Sequence, residues 1–89
     1  MRFEWDSGKA AENVRKHRIS FGEAATAFFD PLSMTVPDPD HSVGERRFIT
    51  MGASSGGRLL VVSHTERGST LRIISARLAS ASERKRYET

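Results

Sequence analysis

The chain has no cysteine. A disulfide framework and a cysteine-ligated zinc site are both excluded, and the cytosol is the natural compartment. No apolar run reaches membrane-spanning length, and the opening residues Met1 to Trp5 lack the apolar segment of a signal peptide. There is no nucleophile elbow, no Gly-Lys-Ser/Thr phosphate loop and no metal-binding helix pattern. His17, His41 and His64 are too far apart in sequence to have ligand spacing, so no metal or other cofactor is implied. Lysine is scarce. Lys9, Lys16 and Lys85 are the only three, and arginine carries the positive excess.

What remains is a single domain of 89 residues, with too little volume for a large core. Net charge is +3 and the pI is about 10.0. Arginine presents planar, bidentate donors suited to phosphate, so the partner expected is a nucleic acid or an acidic protein. On charge alone, +3 serving solubility is an equally good reading.

The organising stretch is Arg58 to Arg77. Two β-branched runs, Leu59–Val62 and Leu71–Ile74, flank Gly68-Ser69, a two-residue hairpin turn. That turn predicts pairs Thr65–Arg72, His64–Ile73, Val61–Ala76 and Leu60–Arg77. Both faces then carry apolar residues, and both need cover. Upstream, Arg2 to Trp5 alternates as a short strand, and Asp6 caps a helix over Ser7–His17 with Ala10, Asn13, Val14 and His17 on one stripe. Ser20 and Glu23 form a capping box that opens a second helix, which ends at Asp30-Pro31. Leu32–Val36 and Arg46–Gly52 read as strands, separated by a loop running from Pro37 through Ser42 and Val43 to Glu45. Ser80 and Glu83 form a second capping box, opening a helix over Ala81–Tyr87. The order predicts an α+β domain: a mostly antiparallel sheet with two N-terminal helices and a short C-terminal helix.

The residues able to do chemistry are acid–base and phosphate-binding groups: His17, His41, Glu45, His64, Tyr87 and the arginines. RNA cleavage needs no more, because the substrate's 2′-OH is the nucleophile and the protein has only to move protons and stabilise phosphate charge. Each group has a bland alternative. Arg67 beside a turn is ordinarily solvated, and Arg72 opposite Thr65 shields a strand. Arg77 calls for a carboxylate, with Glu45 the partner expected, and Tyr87 closes a helix onto the sheet.

The chain also resembles the BrnT family. The resemblance rests on Phe3-Glu4-Trp5-Asp6 with Lys9, Asn13 and Lys16-His17, on Ile19-Ser20-Phe21 with Glu23-Ala24, and on Asp30-Pro31. It continues through Asp40-His41-Ser42 with Glu45-Arg46, and through Gly57-Arg58-x-Leu60-x-Val62 and Thr65-x-Arg67 to Arg72–Arg77. It closes with Glu83-Arg84-x-x-Tyr87-Glu88. It implies a RelE-like fold and an endoribonuclease toxin of a type II toxin–antitoxin module, one that stops translation; the missing ligand cluster predicts that its cleavage is metal-independent. The implied partners are an RNA substrate, a BrnA-type ribbon-helix-helix antitoxin and, only through that antitoxin, operator DNA. No membrane is involved. On this basis Glu45, Arg67, Arg77 and Tyr87 are the expected catalytic residues, and Lys16, His17, Arg58, Arg72 and Arg84 the expected RNA-binding residues. The other reading of the same residues is a non-catalytic basic module that binds RNA or protein and serves operon autoregulation. Two departures stand out: Arg18 where the family has glycine, and Gly44 where it has an acidic residue.

Overall fold

The computed structural model describes residues 1–41 and 44–88. Ser42 and Val43, within the expected loop, and Thr89 lie outside the described residues. Strands β1 (Arg2–Glu4), β2 (Met34–Pro37), β3 (Arg47–Ala53), β4 (Leu59–Arg67) and β5 (Thr70–Leu78) form one sheet in the order β1-β5-β4-β3-β2. Helices are α1 (Ser7–His17), α2 (Phe21–Thr26) and α3 (Ala81–Glu88), with short 3-10 turns at Ala27–Phe29 and Pro39–His41. The α+β architecture is as expected. The sheet is mixed: β2, β3, β4 and β5 pair antiparallel, and β1 runs parallel to β5.

The helix starts are set locally. The Asp6 carboxylate accepts the Lys9 N–H at 2.8 Å, and the Ser20 hydroxyl accepts the Glu23 N–H at 3.0 Å. These bonds satisfy donors that a first helical turn leaves without partners. At Ser80 the capping box is complete: its hydroxyl accepts the Glu83 N–H at 3.2 Å, and the Glu83 carboxylate accepts the Ser80 N–H at 2.8 Å. At Ser20 the box is only half made, because the Glu23 carboxylate is drawn away to Ser54 and Arg58. Helix α1 ends on Arg18 at φ 59°, a left-handed conformation costing an L-residue about 1 kcal/mol or more. The turn is held from outside, since the Arg18 carbonyl accepts from the Arg58 guanidinium at 3.0 Å.

One face of the sheet is the core. Leu60, Val62, Leu71, Ile73 and Ala76 pack there against Ile19, Phe21 and Ala24. Phe3, Ala10, Ala25 and Phe28 close its rim, whereas Val14, expected on the buried stripe of α1, is half exposed. The buried member of that stripe is Asn13. Its amide donates to the carbonyls of Ile19 and Ala76, both at 2.9 Å, and accepts the Ala76 N–H at 3.1 Å.

This clamp sits beside a β-bulge. The hairpin register follows expectation from Arg67–Thr70 to His64–Ile73, then slips by one residue between Ser63 and His64. Beyond the slip Val62 faces Ala76, Val61 faces Arg77 and Leu60 faces Leu78. The expected pairs Val61–Ala76 and Leu60–Arg77 are therefore corrected. The extra residue in β5 turns Ala76 into the core and moves Arg77 to the opposite face, because side chains alternate with period two.

Candidate functional site

The face away from α1 and α2 is the open face, and cross-strand register orders it in rows. Met34, Met51, Val61 and Arg77 form one row, and Val36, Ile49, Ser63 and Ser75 the next. Then come Arg47, Thr65, Arg72 and Glu4, the last reached through the parallel β1. Arg67 and Thr70 lie at the hairpin turn. The sheet thus mounts Arg47, Arg67, Arg72 and Arg77 on one rigid surface.

Arg67, Arg72 and Arg77 have carboxylate partners, and Arg47 is engaged as well. Arg67 bonds Glu45 at 3.2 Å, Arg72 approaches Glu4 at 3.7 Å, and Arg77 holds Glu83 by two bonds at 2.8 and 3.0 Å. The pairing expected between Arg77 and Glu45 is not made. The bulge turns Arg77 towards α3, where Glu83 is six residues away in sequence, and Glu45 takes Arg67 instead. The Arg77 guanidinium and the Ser80 N–H hold the Glu83 carboxyl down at about 2, and Glu83 in turn raises Arg77. Thr65 stands between Arg47 and Arg72, and its hydroxyl is buried with no hydrogen-bond partner among the described residues.

The four expected catalytic residues fall into two groups. Glu45 and Arg67 meet at the turn end. Arg77 lies opposite Val61, six residues back along β4, which is about 20 Å at 3.3 Å per residue. Tyr87 belongs to the Arg77 end, where its hydroxyl donates to Asp30 at 2.5 Å. The Asp30 carboxylate also accepts the Ala53 N–H at 2.8 Å and the Leu32 N–H at 3.0 Å. These contacts, the Ala53 N–H foremost, depress Asp30, and the hydrogen bond to Asp30 pushes the Tyr87 phenol up. Tyr87 is thereby a neutral donor that fastens α3 over the end of the sheet.

The expected RNA-binding residues are also dispersed. Arg72 lies in the Thr65 row, and Arg84 is exposed on α3. Arg58 is committed elsewhere: its guanidinium forms a two-bond ion pair with Glu23, and the Ser54 hydroxyl donates to the same carboxylate at 2.6 Å. Arg58 lowers Glu23, and Glu23 raises Arg58. Its evident role is to tie α2 to the start of β4. Lys16 and His17 are on α1, on the other side of the sheet edge, around a shallow polar recess that includes Ile74 and Ser75. Lys16 reaches Glu12 at 3.4 Å.

His64 is 1 % exposed and packed between Phe28 and Phe48, with Nε2 bonded to the Thr50 hydroxyl at 2.7 Å. Burial pushes its pKa down to about 4. It is a neutral core residue, not an acid–base group at neutral pH. Sequence reasoning passed over Arg47 and Glu4 as site residues. The alternation of Arg47, Ile49 and Met51 was a signal for the first, but the parallel pairing that brings in Glu4 left none. Among the described residues, no three of His, Cys, Asp and Glu come together as metal ligands. No helix among them is long and apolar enough to cross a membrane.

Comparison with known proteins agrees with this fold. The crystal structure of the Brucella abortus ribonuclease toxin BrnT superposes with a TM-score of 0.70 at 25 % identity, covering 90 % of this chain and 97 % of that one. A search of curated proteins gave no match. The model of the family described as "Ribonuclease toxin, BrnT, of type II toxin-antitoxin system" matches residues 5–83. The chain therefore belongs to the BrnT family of ribonuclease toxins of type II toxin–antitoxin systems.

Proposed function

We propose that this chain cleaves RNA on the open face of its sheet, and that the cleavage arrests translation in the cytoplasm. The observation carrying the proposal is the arginine-lined surface itself: Arg47, Arg67 and Arg72 in and beside the Thr65 row, with Glu45 beside Arg67. The phosphodiester lies against Arg67 and Arg72, whose guanidinium donors fit phosphate oxygens bidentately. Glu45 accepts the proton of the 2′-OH, and that oxygen attacks phosphorus. The arginines hold the charge building on the phosphoryl oxygens, where electrostatic stabilisation lowers the barrier most. The bond to the 5′ oxygen breaks, and the leaving oxygen takes a proton from solvent. No step requires a metal ion. Arg77, Arg84 and Tyr87, at the far end, hold the flanking strand and the helix that borders it.

In this reading a BrnA-type ribbon-helix-helix antitoxin neutralises the toxin by covering the same face, and the complex reaches operator DNA through the antitoxin. The test is growth arrest on induced expression, at matched protein level, for alanine variants of Arg67, Arg77, Arg15 and Lys9. Arg67→Ala and Arg77→Ala are expected to relieve arrest, and Arg15→Ala and Lys9→Ala to leave it. Equal toxicity of all four would remove the site from the open face. A thermal melt accompanies Arg77→Ala, because that change strands the Glu83 carboxylate.

A further inference from the structure

Strand β1 adds a further row to the open face. It pairs Arg2 with Thr70, Phe3 with Leu71 and Glu4 with Arg72, and β5 in turn pairs Thr70 with Arg67. Phe3 packs on the core, its ring 5.5 Å from that of Phe28, so Arg2 and Glu4 on either side of it point to the open face. Glu4 shows this directly by approaching Arg72. Arg2, Thr70 and Arg67 therefore stand in line across three strands, with Arg2 and Arg67 about 10 Å apart at about 4.8 Å per strand. The row of Thr65, Arg72 and Glu4 is two residues away, about 7 Å. The Arg2 N–H donates to the Ser69 carbonyl at 3.3 Å, which fixes this end of β1 to the hairpin turn.

The cations in these rows are not equally committed. Arg67 is shared with Glu45 and Arg72 with Glu4, both as solvent-accessible pairs. Such pairs are weak and exchange readily for another anion. Arg2 is exposed, and its guanidinium has no ion-pair or hydrogen-bond partner among the described residues. Glu4, next on the same face of β1, is turned to Arg72. Thr70, between Arg2 and Arg67, adds a hydroxyl that can donate to an anion's oxygen. An anion lying across this row meets a guanidinium that no carboxylate has to release first. A single RNA strand is an extended string of such anions, and the distance between the two rows is on the scale of one nucleotide step.

We propose that Arg2, with the Thr70 hydroxyl beside it, forms a second phosphate subsite that holds the RNA phosphate next to the one cleaved. The inference rests on the open-face reading above for its substrate, and adds the residue that grips the strand at the turn end. The guanidinium bonds the two non-bridging oxygens of that phosphate together. Arg2 touches no reacting atom, so it serves substrate and transition state alike, and its contribution shows in KM and not in kcat. Phosphate contacts position a strand without reading its sequence, so the contribution is the same for RNAs of different sequence.

The experiment measures binding of a fully 2′-O-methylated RNA oligonucleotide, which has no 2′-OH with which to be cut, by fluorescence anisotropy over a range of salt concentrations. Arg2→Ala is expected to bind several-fold more weakly at low salt. The slope of log K against log salt should become shallower by about 0.7, the counterion release of one single-strand phosphate contact. Arg2→Lys keeps the charge and should keep the slope. Arg2→Gln keeps side-chain length without charge, so it reports even if the alanine variant frays β1, and should lose the slope as Ala does. Lys9→Ala removes one charge from α1 and is expected to bind as the parent does. With cleavable RNA, Arg2→Ala should raise KM several-fold and leave kcat within about twofold. A parent slope in Arg2→Ala and Arg2→Gln overturns the proposal, as does an equal change in Lys9→Ala, which would make the effect one of net charge. A fall in kcat with the slope unchanged also overturns it. So does full RNA affinity with weakened binding of the product of the adjoining reading frame, which would make Arg2 a contact for a protein partner. A parent chain that neither binds nor cuts RNA sinks the ribonuclease reading and this subsite together, whereas a parent that does both beside an unaltered Arg2→Ala sinks the subsite alone.

Discussion

Asn13→Ala is the substitution that tests most of the fold at once. Asn13 is 5 % exposed, and its side chain makes three hydrogen bonds: to the Ile19 carbonyl, the Ala76 carbonyl and the Ala76 N–H. Alanine leaves all three backbone groups without those partners in a buried place. Stranding a buried polar group costs about 1–3 kcal/mol, and water entering the vacated space recovers part of it. A loss of about 3 kcal/mol is therefore expected. For a domain of this size each kcal/mol moves Tm by about 4–8 °C, so Tm falls by about 12–24 °C. Asn13→Asp is expected to be no better, because its carboxylate would face two carbonyl oxygens. The assay is urea unfolding followed by circular dichroism, with hydrogen exchange at Ala76. The Ala76 amide should lose protection more than the amides nearer the turn, because the clamp holds the bulge and, through it, the side of the sheet on which Arg77 emerges. A loss below about 1 kcal/mol, with Ala76 still protected, would refute the reasoning.

Two further outcomes follow from buried and half-buried groups. His64 is held at about 4 in the folded chain, against 6.5 for an ordinary histidine. The unfolded chain therefore takes up a proton first as pH falls, so His64 contributes stability above about pH 6.5 that is lost progressively towards pH 4. The urea midpoint should fall across that window, and His64→Leu should flatten this part of the slope; an unchanged slope would argue against a buried, neutral His64. Tyr87→Phe removes only the bond to Asp30, so a Tm loss of about 4–8 °C (about 1 kcal/mol) with RNA cleavage retained is expected. Tyr87→Ala should lose more stability and weaken RNA binding, whereas complete loss of cleavage in the Phe variant would give the hydroxyl a role in proton transfer.

The parts of the fold legible in the sequence are those fixed by neighbours. Asp6, Ser20 and Ser80 cap helices through bonds three residues ahead, and Gly68 closes its hairpin with φ 61°. The bulge was not legible. The run Leu71–Ile74 reads as an unbroken β-branched strand, and the Asn13 clamp beside it comes from 63 residues away. Glu23 shows the same limit: its spacing from Ser20 spells a capping box, but an arginine 35 residues on offers a stronger partner. For the site, alternation placed Arg67 and Arg72 on one face correctly, since both precede the slip in register. Arg77 lies beyond it, so its face and its carboxylate partner were both misread. Burial hid the character of His64, whose sequence neighbourhood looks like that of any half-exposed strand histidine.

The central claim is that arginines on the open face cleave RNA without a metal ion. The most direct measurement is cleavage of an end-labelled RNA by the purified chain, free of antitoxin and in the presence of EDTA, compared with Arg67→Ala of equal Tm. The account predicts cleavage by the parent, undiminished by the chelator, and a loss of about 100-fold or more in the variant, the scale of removing one stabilising donor from an active site. Intact RNA with the parent, equal rates for the two proteins, or activity abolished by EDTA and restored by a divalent ion would contradict it.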